Sequence, residues 1–197
     1  MKIALLLNWG FGLEVLKVFH CLENIDISFV VTQFDPKSTD IWNNVVYNHS
    51  LMLGYKTISQ EKLSFDKLKK EIEENEVDLL VAHAFMKIFP KSIITVPKFG
   101  CINIHASLLP KYRGASPTKL VLKNKDKITG LTTHYINEGI DTGDIIFQIK
   151  IPVTTDDTED SIIERMKSVT KKLIIESLSR INDPTFVAIP QTILSNN

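Results

Sequence analysis

The sequence predicts an α/β protein, a mixed and mostly parallel sheet with helices on both faces. Three observations predict it. Apolar runs alternate with stretches of helical spacing through the first half. The runs at 2–8 (KIALLLN), 27–32 (ISFVVT) and 78–84 (DLLVAHA) are continuous, the mark of strands covered on both faces. The second half changes character, and 131–136 with 144–153 reads as an antiparallel pair around 137–143 (NEGIDTG).

The elements follow in order. After the first strand, Gly10 and Gly12 bracket a turn, and Leu13, Val15, Leu16, Phe19 and Leu22 set a helix over 13–22. The stretch 34–39 (FDPKST) has loop chemistry. Asp40 caps a helix that runs to Leu53 and stops at Gly54, and 55–58 is a short strand. Ser59, with Gln60 and Glu61 behind it, reads as the cap of a helix ending at Asn75. A strand at 101–106 and a short helix at 117–124 come next. The final helix starts at Thr155 or Asp156 and runs to Ser179. Asp183-Pro184 breaks it and a tail follows. Repeats, low-complexity tracts and linkers are missing, so residues 1–197 read as a single catalytic-sized domain with a short C-terminal tail.

Composition narrows the function classes. Lys plus Arg is 23 and Asp plus Glu is 23, and this zero balance argues against a large nucleic acid partner. Cys21 and Cys101 fit no metal or redox spacing and read as buried small residues in a reducing compartment. The opening MKIALLLNWG is too short for a secretory signal, and no run reaches the ~18 apolar residues of a membrane span. A cytoplasmic protein without a membrane partner is expected.

In parallel sheets the ligand lies at the carboxyl ends of the strands, which here fall at 8–12, 33–36 and 83–89. A dinucleotide site fails on two requirements. The loop after the first strand, NWGFG, lacks the third glycine and carries bulky Trp9 and Phe11, and Gln33 stands where a ribose-binding acid belongs. Two polar side chains stand out instead. Asn103 and His105 lie two apart in the strand CINIHA, so both face one way. Together they suit an oxygen on which negative charge develops. Asp141, in the glycine-flanked loop IDTGD, suits an orienting carboxylate or a proton shuttle.

Residues 100–117 (GCINIHASLLPKYRGASP) and 130–148 (GLTTHYINEGIDTGDIIFQ) together resemble the folate-dependent formyltransferase family. Its motif N-x-H-x-S-L-L-P is paired here with D-x-G, and weaker likeness covers most of the rest, including 78–100. The resemblance implies a Rossmann-like fold and N10-formyltetrahydrofolate as co-substrate. It implies a catalytic trio of Asn103, His105 and Asp141. It also implies that Phe85, Met86, Lys87, Ile88 and Phe89, with Ile136, Gly139 and Ile140, cradle the pterin, largely through backbone groups. Trp9, Phe11, Ser107, Lys111 and Arg113 are the expected acceptor contacts. Trp9 and Phe11, like Trp42 and Tyr47, offer rings for stacking, and Arg113 suits a phosphate or acidic group. No metal is expected, since His83, His105, His134 and Asp141 fit no common ligand spacing.

The expected reaction is transfer of a formyl group to a primary amine, with His105 as base and Asp141 orienting it. For the acceptor, NWGFG lacks the small-residue phosphate loop of glycinamide ribonucleotide enzymes. Read as ending at Asn197 without net charge, the chain also lacks the C-terminal barrel of methionyl-tRNA enzymes. The RGASP and EGIDTGDII segments look most like the sugar enzymes. A nucleotide-linked amino deoxysugar is therefore the expected acceptor, with glycinamide ribonucleotide and methionyl-tRNA as alternatives; a homodimer is compatible with this. Two rivals come from other classes, a formyltetrahydrofolate hydrolase and a non-catalytic folate-binding protein.

Overall fold

The computed structural model describes residues 1–38, 40 and 44–194. Two compact units divide the chain, Met1–Ile102 and Asn103–Asn197. The first holds β1 (Lys2–Leu7), α1 (Trp9–His20), β2 (Asp26–Thr32), α2 (Val45–Met52), β3 (Thr57–Ser59), α3 (Phe65–Glu74), β4 (Leu79–His83) and the short α4 (Lys91–Ile94). Strand β5 (Cys101–His105) starts in it and ends in the second unit. That unit continues with α5 (Pro117–Lys123), β6 (Ile128–Tyr135), β7 (Ile145–Pro152), α6 (Glu159–Asn182) and α7 (Gln191–Leu194). The strand order is β3-β2-β1-β4-β5-β6-β7. β1 pairs in parallel with β2 and β4, and β2 with β3, while β6 and β7 are antiparallel. The expected mixed, mostly parallel sheet is the one observed.

Continuous apolar strands explain this arrangement. Ile3 to Leu7 are all at 0% exposure, so both pleat faces of β1 are covered. Each Ile or Leu among them contributes roughly 1.5–3 kcal/mol on burial. In the second unit Ile162, Met166, Leu173 and Ile174 form the buried stripe of α6, which packs on β6 and β7. Among the described residues no helix is long and apolar enough to cross a membrane.

Several boundaries differ from the sequence reading. α1 starts at Trp9, so Gly10 and Gly12 are helical and bracket no turn. A Cβ on Gly12 would sit 3.2 Å from that of Leu7, so glycine lets the helix start close against β1. α3 is capped by Ser64, whose hydroxyl accepts from Lys67 N, whereas Ser59 precedes only a 3-10 turn. α6 is capped by Thr158 in a reciprocal box with Ser161, later than Thr155 or Asp156. Cys101 is buried as expected, but Cys21 is exposed at the end of α1. Asp40 is described, but the helix start read at 41–43 and the ring of Trp42 lie outside the described residues. Part of the expected tail is held in place instead: Ile189 and Ile145 exchange two backbone hydrogen bonds at 2.8 Å, and α7 follows.

Candidate active site

The second unit gathers four polar side chains. β5 alternates, so Ile102 and Ile104 point into the core, each 2% exposed, while Asn103 and His105 share the other face. β6 supplies His134, just past a register shift against β7 at Thr133/His134. The loop between β6 and β7 supplies Asp141. Gly143 keeps that loop tight, because a Cβ there would run into the Tyr135 carbonyl oxygen.

Hydrogen bonding assigns the ring protons. His105 Nε2 lies 2.8 Å from the Tyr112 carbonyl oxygen, which only accepts, so Nε2 carries the hydrogen. Nδ1 then faces Asp141 Oδ2 at 3.3 Å. Oδ2 also accepts from Gly114 N at 2.8 Å. Asn103 Nδ2 donates to Asp141 Oδ1 at 3.2 Å and to His134 Nε2 at 3.1 Å. His134 Nδ1 donates to the Tyr135 carbonyl at 2.8 Å, which leaves Nε2 free to accept. Tyr112, Ser116 and Asp141 all have positive φ, at 59°, 56° and 50°, so the two loops hold sparsely populated backbone around the ring.

Electrostatics divide the pair. Burial pushes the His105 imidazole below its ordinary value, and Asp141 and the Tyr112 carbonyl offset only part of this. Burial also pushes the Asp141 carboxyl up. The neighbouring His134 and His105 imidazoles and the Gly114 N–H outweigh it and bring the carboxyl down to about 2. At neutral pH a neutral imidazole therefore presents its Nδ1 lone pair to a carboxylate. That arrangement takes up one proton, between Nδ1 and Oδ2. Among the described residues no group of three or more His, Cys, Asp or Glu side chains is placed to hold a metal ion.

The other expected residues are distributed as follows. Ser107 is buried and its hydroxyl donates to Lys111 O at 2.6 Å. Lys111 is exposed, 3.9 Å from Asp126. Arg113 Nε and Nη2 donate to Gln191 Oε1 at 2.9 and 2.7 Å. Ile136 is half-buried, Gly139 N donates to Asn137 Oδ1 at 3.0 Å, and Ile140 is exposed. In the first unit Phe85 stacks on buried Phe89 at 5.2 Å, Met86 and Ile88 are exposed, and Lys87 Nζ donates to Gln60 O at 3.2 Å. Trp9 is 48% exposed with φ of 66°, whereas Phe11 is buried with its ring 4.7 Å from His83. Tyr47 stacks on Phe34 at 4.1 Å. Also in this unit, buried Asn8 joins three strand ends: its amide donates to Ala84 O and Gln60 Oε1, and its oxygen accepts from Gln33 N. Sequence reasoning gave no catalytic part to His134, Tyr112, Gly114 or Gln191. The signal for His134 was its spacing, two residues beyond Thr132 on one face of a strand.

The family profile described as formyl transferase matches residues 22–178. The chain belongs to the formyl transferase family. A methionyl-tRNA formyltransferase from Thermodesulfovibrio yellowstonii is 38% identical over 169 residues, 84% of this chain and 55% of that protein. The chain thus spans about half the length of such curated relatives. A solved phosphoribosylglycinamide formyltransferase from Anaplasma phagocytophilum has a TM-score of 0.76 at 26% identity, over 92% of this chain and 86% of that one. A formyltetrahydrofolate deformylase from Pseudomonas syringae pv. tomato shares the fold, with a TM-score of 0.78 at 20% identity over 96% of this chain and 65% of that one. The D-x-G loop and the N-x-H strand both fall inside the matched stretch.

Proposed function

We propose that this protein transfers a formyl group from N10-formyltetrahydrofolate to a primary amine. The observation that carries the reading is the His105–Asp141 pair, with Nε2 committed to Tyr112 O at 2.8 Å and Nδ1 turned to Oδ2 at 3.3 Å. Bound folate supplies an electrophilic formyl carbon whose oxygen becomes an oxyanion as the amine adds. His105 Nδ1 takes the proton the amine gives up, Asp141 stabilises the imidazolium, and the same proton is available for N10 as its bond to carbon breaks. Asn103 holds Asp141 and His134, and turning one amide N–H toward the oxyanion supplies a donor typically worth about 2.7–4 kcal/mol in the barrier. Ile140, exposed beside Asp141 in the same loop, suits a flat pterin.

For the acceptor, the named relatives support methionyl-tRNA ahead of the amino sugar expected from sequence. A local charge pattern supports the same order. Lys119, Lys123, Lys125 and Lys127 are all exposed around α5, and none forms an ion pair with another described residue. Exposed Trp9 favours the second reading, a nucleotide-linked amino sugar stacked on the indole. Residues 1–197 are proposed to act as one catalytic domain, checked by a single cooperative unfolding transition.

The test is a turnover assay with N10-formyltetrahydrofolate against methionyl-tRNA, glycinamide ribonucleotide, a panel of nucleotide-linked amino sugars, and no acceptor. A formyl mass gain on one amine supports the reading and names the acceptor. Folate release in water alone would make the protein a deformylase instead.

A further inference from the structure

We propose that Gln191 is a positioning residue, whose side-chain amide holds the loop that presents Asp141 to His105. The proposal rests on the reading of His105 and Asp141 as the transfer pair. Gln191 opens α7, lies 78 residues from Arg113 and 50 from Asp141 in the sequence, and is only 2% exposed. Its Nε2 donates to Asp141 O at 2.8 Å and to Gly143 O at 2.7 Å. Its Oε1 accepts the Arg113 fork at 2.9 and 2.7 Å. An amide offers two N–H donors and two lone pairs, and all are engaged here. An apolar residue at 191 would leave two loop carbonyls and part of a guanidinium without these partners.

Both ends of this latch reach the reacting pair. One end grips the carbonyl of Asp141 itself, a residue at φ 50°, and thereby selects the peptide orientation from which its carboxylate leaves. The other end grips Arg113. That residue stands between Tyr112, whose carbonyl accepts from His105 Nε2, and Gly114, whose N–H donates to Asp141 Oδ2. A single amide thus ties the loop that orients the ring to the loop that carries the carboxylate. The segment bearing Gln191 is registered separately, by the paired backbone bonds of Ile189 and Ile145. Substituting the side chain therefore leaves the segment docked. Arg113, expected from sequence as a phosphate contact, commits two of its N–H groups to this latch.

The experiment compares wild type with Gln191→Met and Gln191→Glu. Imidazole NMR follows the titration of His105, which is faced by Asp141 and, with ring centroids 6.4 Å apart, by His134. Formyl-transfer kinetics are measured alongside. In both variants Asp141 loosens, the His105 midpoint moves to lower pH, and kcat falls about ten- to a hundredfold, the scale of a small misplacement of reacting groups. KM for the amine stays within about twofold, since binding contacts are untouched. Glu keeps the acceptor for Arg113 but cannot donate to the carbonyls, so it behaves as Met does. Arg113→Lys, on the exposed side of the latch, gives a smaller shift of the same sign should either buried variant misfold. An unchanged His105 titration in all three, or wild-type behaviour of Gln191→Glu, overturns the proposal. The NMR arm decides even if wild type forms no formyl product, which would count against the transfer reading and not against the latch.

Discussion

His105 Nε2 gives its hydrogen to the carbonyl oxygen of Tyr112 across 2.8 Å, and this bond decides which ring nitrogen is left to react. Nδ1 becomes the basic atom, and it is the one that faces Asp141.

A pH profile follows. Burial holds the His105 imidazole below its usual value of 6.5, with Asp141 only partly offsetting it, so the neutral base persists through neutral pH. The acid limb of kcat/KM is therefore expected below pH 6.5, with a plateau above. A limb centred above pH 7 would contradict this. Stability moves in the same direction. The unfolded chain binds protons more readily than buried His105, so stability is lost as pH falls below 6.5. Asp141 is held down to about 2, so its contribution is lost as pH falls from 3.8 through that value.

Tyr112→Phe tests how its carbonyl is aimed. The Tyr112 hydroxyl donates to Asp126 at 2.8 Å and accepts from Asn124 at 2.8 Å, which anchors a residue held at φ 59°. Losing both bonds costs about 1–2 kcal/mol of stability. Transfer slows roughly tenfold, equivalent to about 1.4 kcal/mol of barrier. Chemical denaturation and kcat measure the two effects, and unchanged kcat would show that the carbonyl stays aimed without the anchor.

Charge reversal of Lys119, Lys123, Lys125 and Lys127 to Glu tests the polyanionic acceptor. RNA binding weakens and the slope of log K against log salt falls by roughly 3–4, from about 0.7–0.9 for each of four phosphate contacts. Folate affinity is expected to stay the same. Equal slopes for variant and wild type would remove these lysines from the acceptor site.

Thr158→Ala is a control on the frame. It removes the cap that accepts from Ser161 N at 3.2 Å and half of the reciprocal box. The loss is about 1 kcal/mol, read as a drop of roughly 2–4 °C in melting temperature for a chain of this size. Activity per folded molecule stays constant.

Much of this was legible in the sequence because it is local. KIALLLN and DLLVAHA announce covered strands by having no alternation, and N-x-H puts two polar groups on one face by strand geometry alone. Helix starts were harder. Ser59 and Ser64 are both plausible caps, and only the structure reveals which hydroxyl meets an N–H. Trp9 begins α1 with a positive φ that no aromatic residue advertises. Residues 185–194 read as a tail because their partners are distant: Ile189 pairs with Ile145, and Gln191 meets Arg113, Asp141 and Gly143. Such contacts leave no periodicity to find. His134 was overlooked as a working part for a related reason, since its role depends on the Asn103 amide across the sheet.

The most direct test of the central claim compares wild type with His105→Ala under saturating N10-formyltetrahydrofolate and an amine acceptor, with the formylated product followed by mass. The account predicts product from wild type and a loss of about 10²–10⁴-fold in kcat for the variant, the range of a general base, with folate still bound. Product formed equally fast by the variant would contradict it, because the proton acceptor would then lie elsewhere.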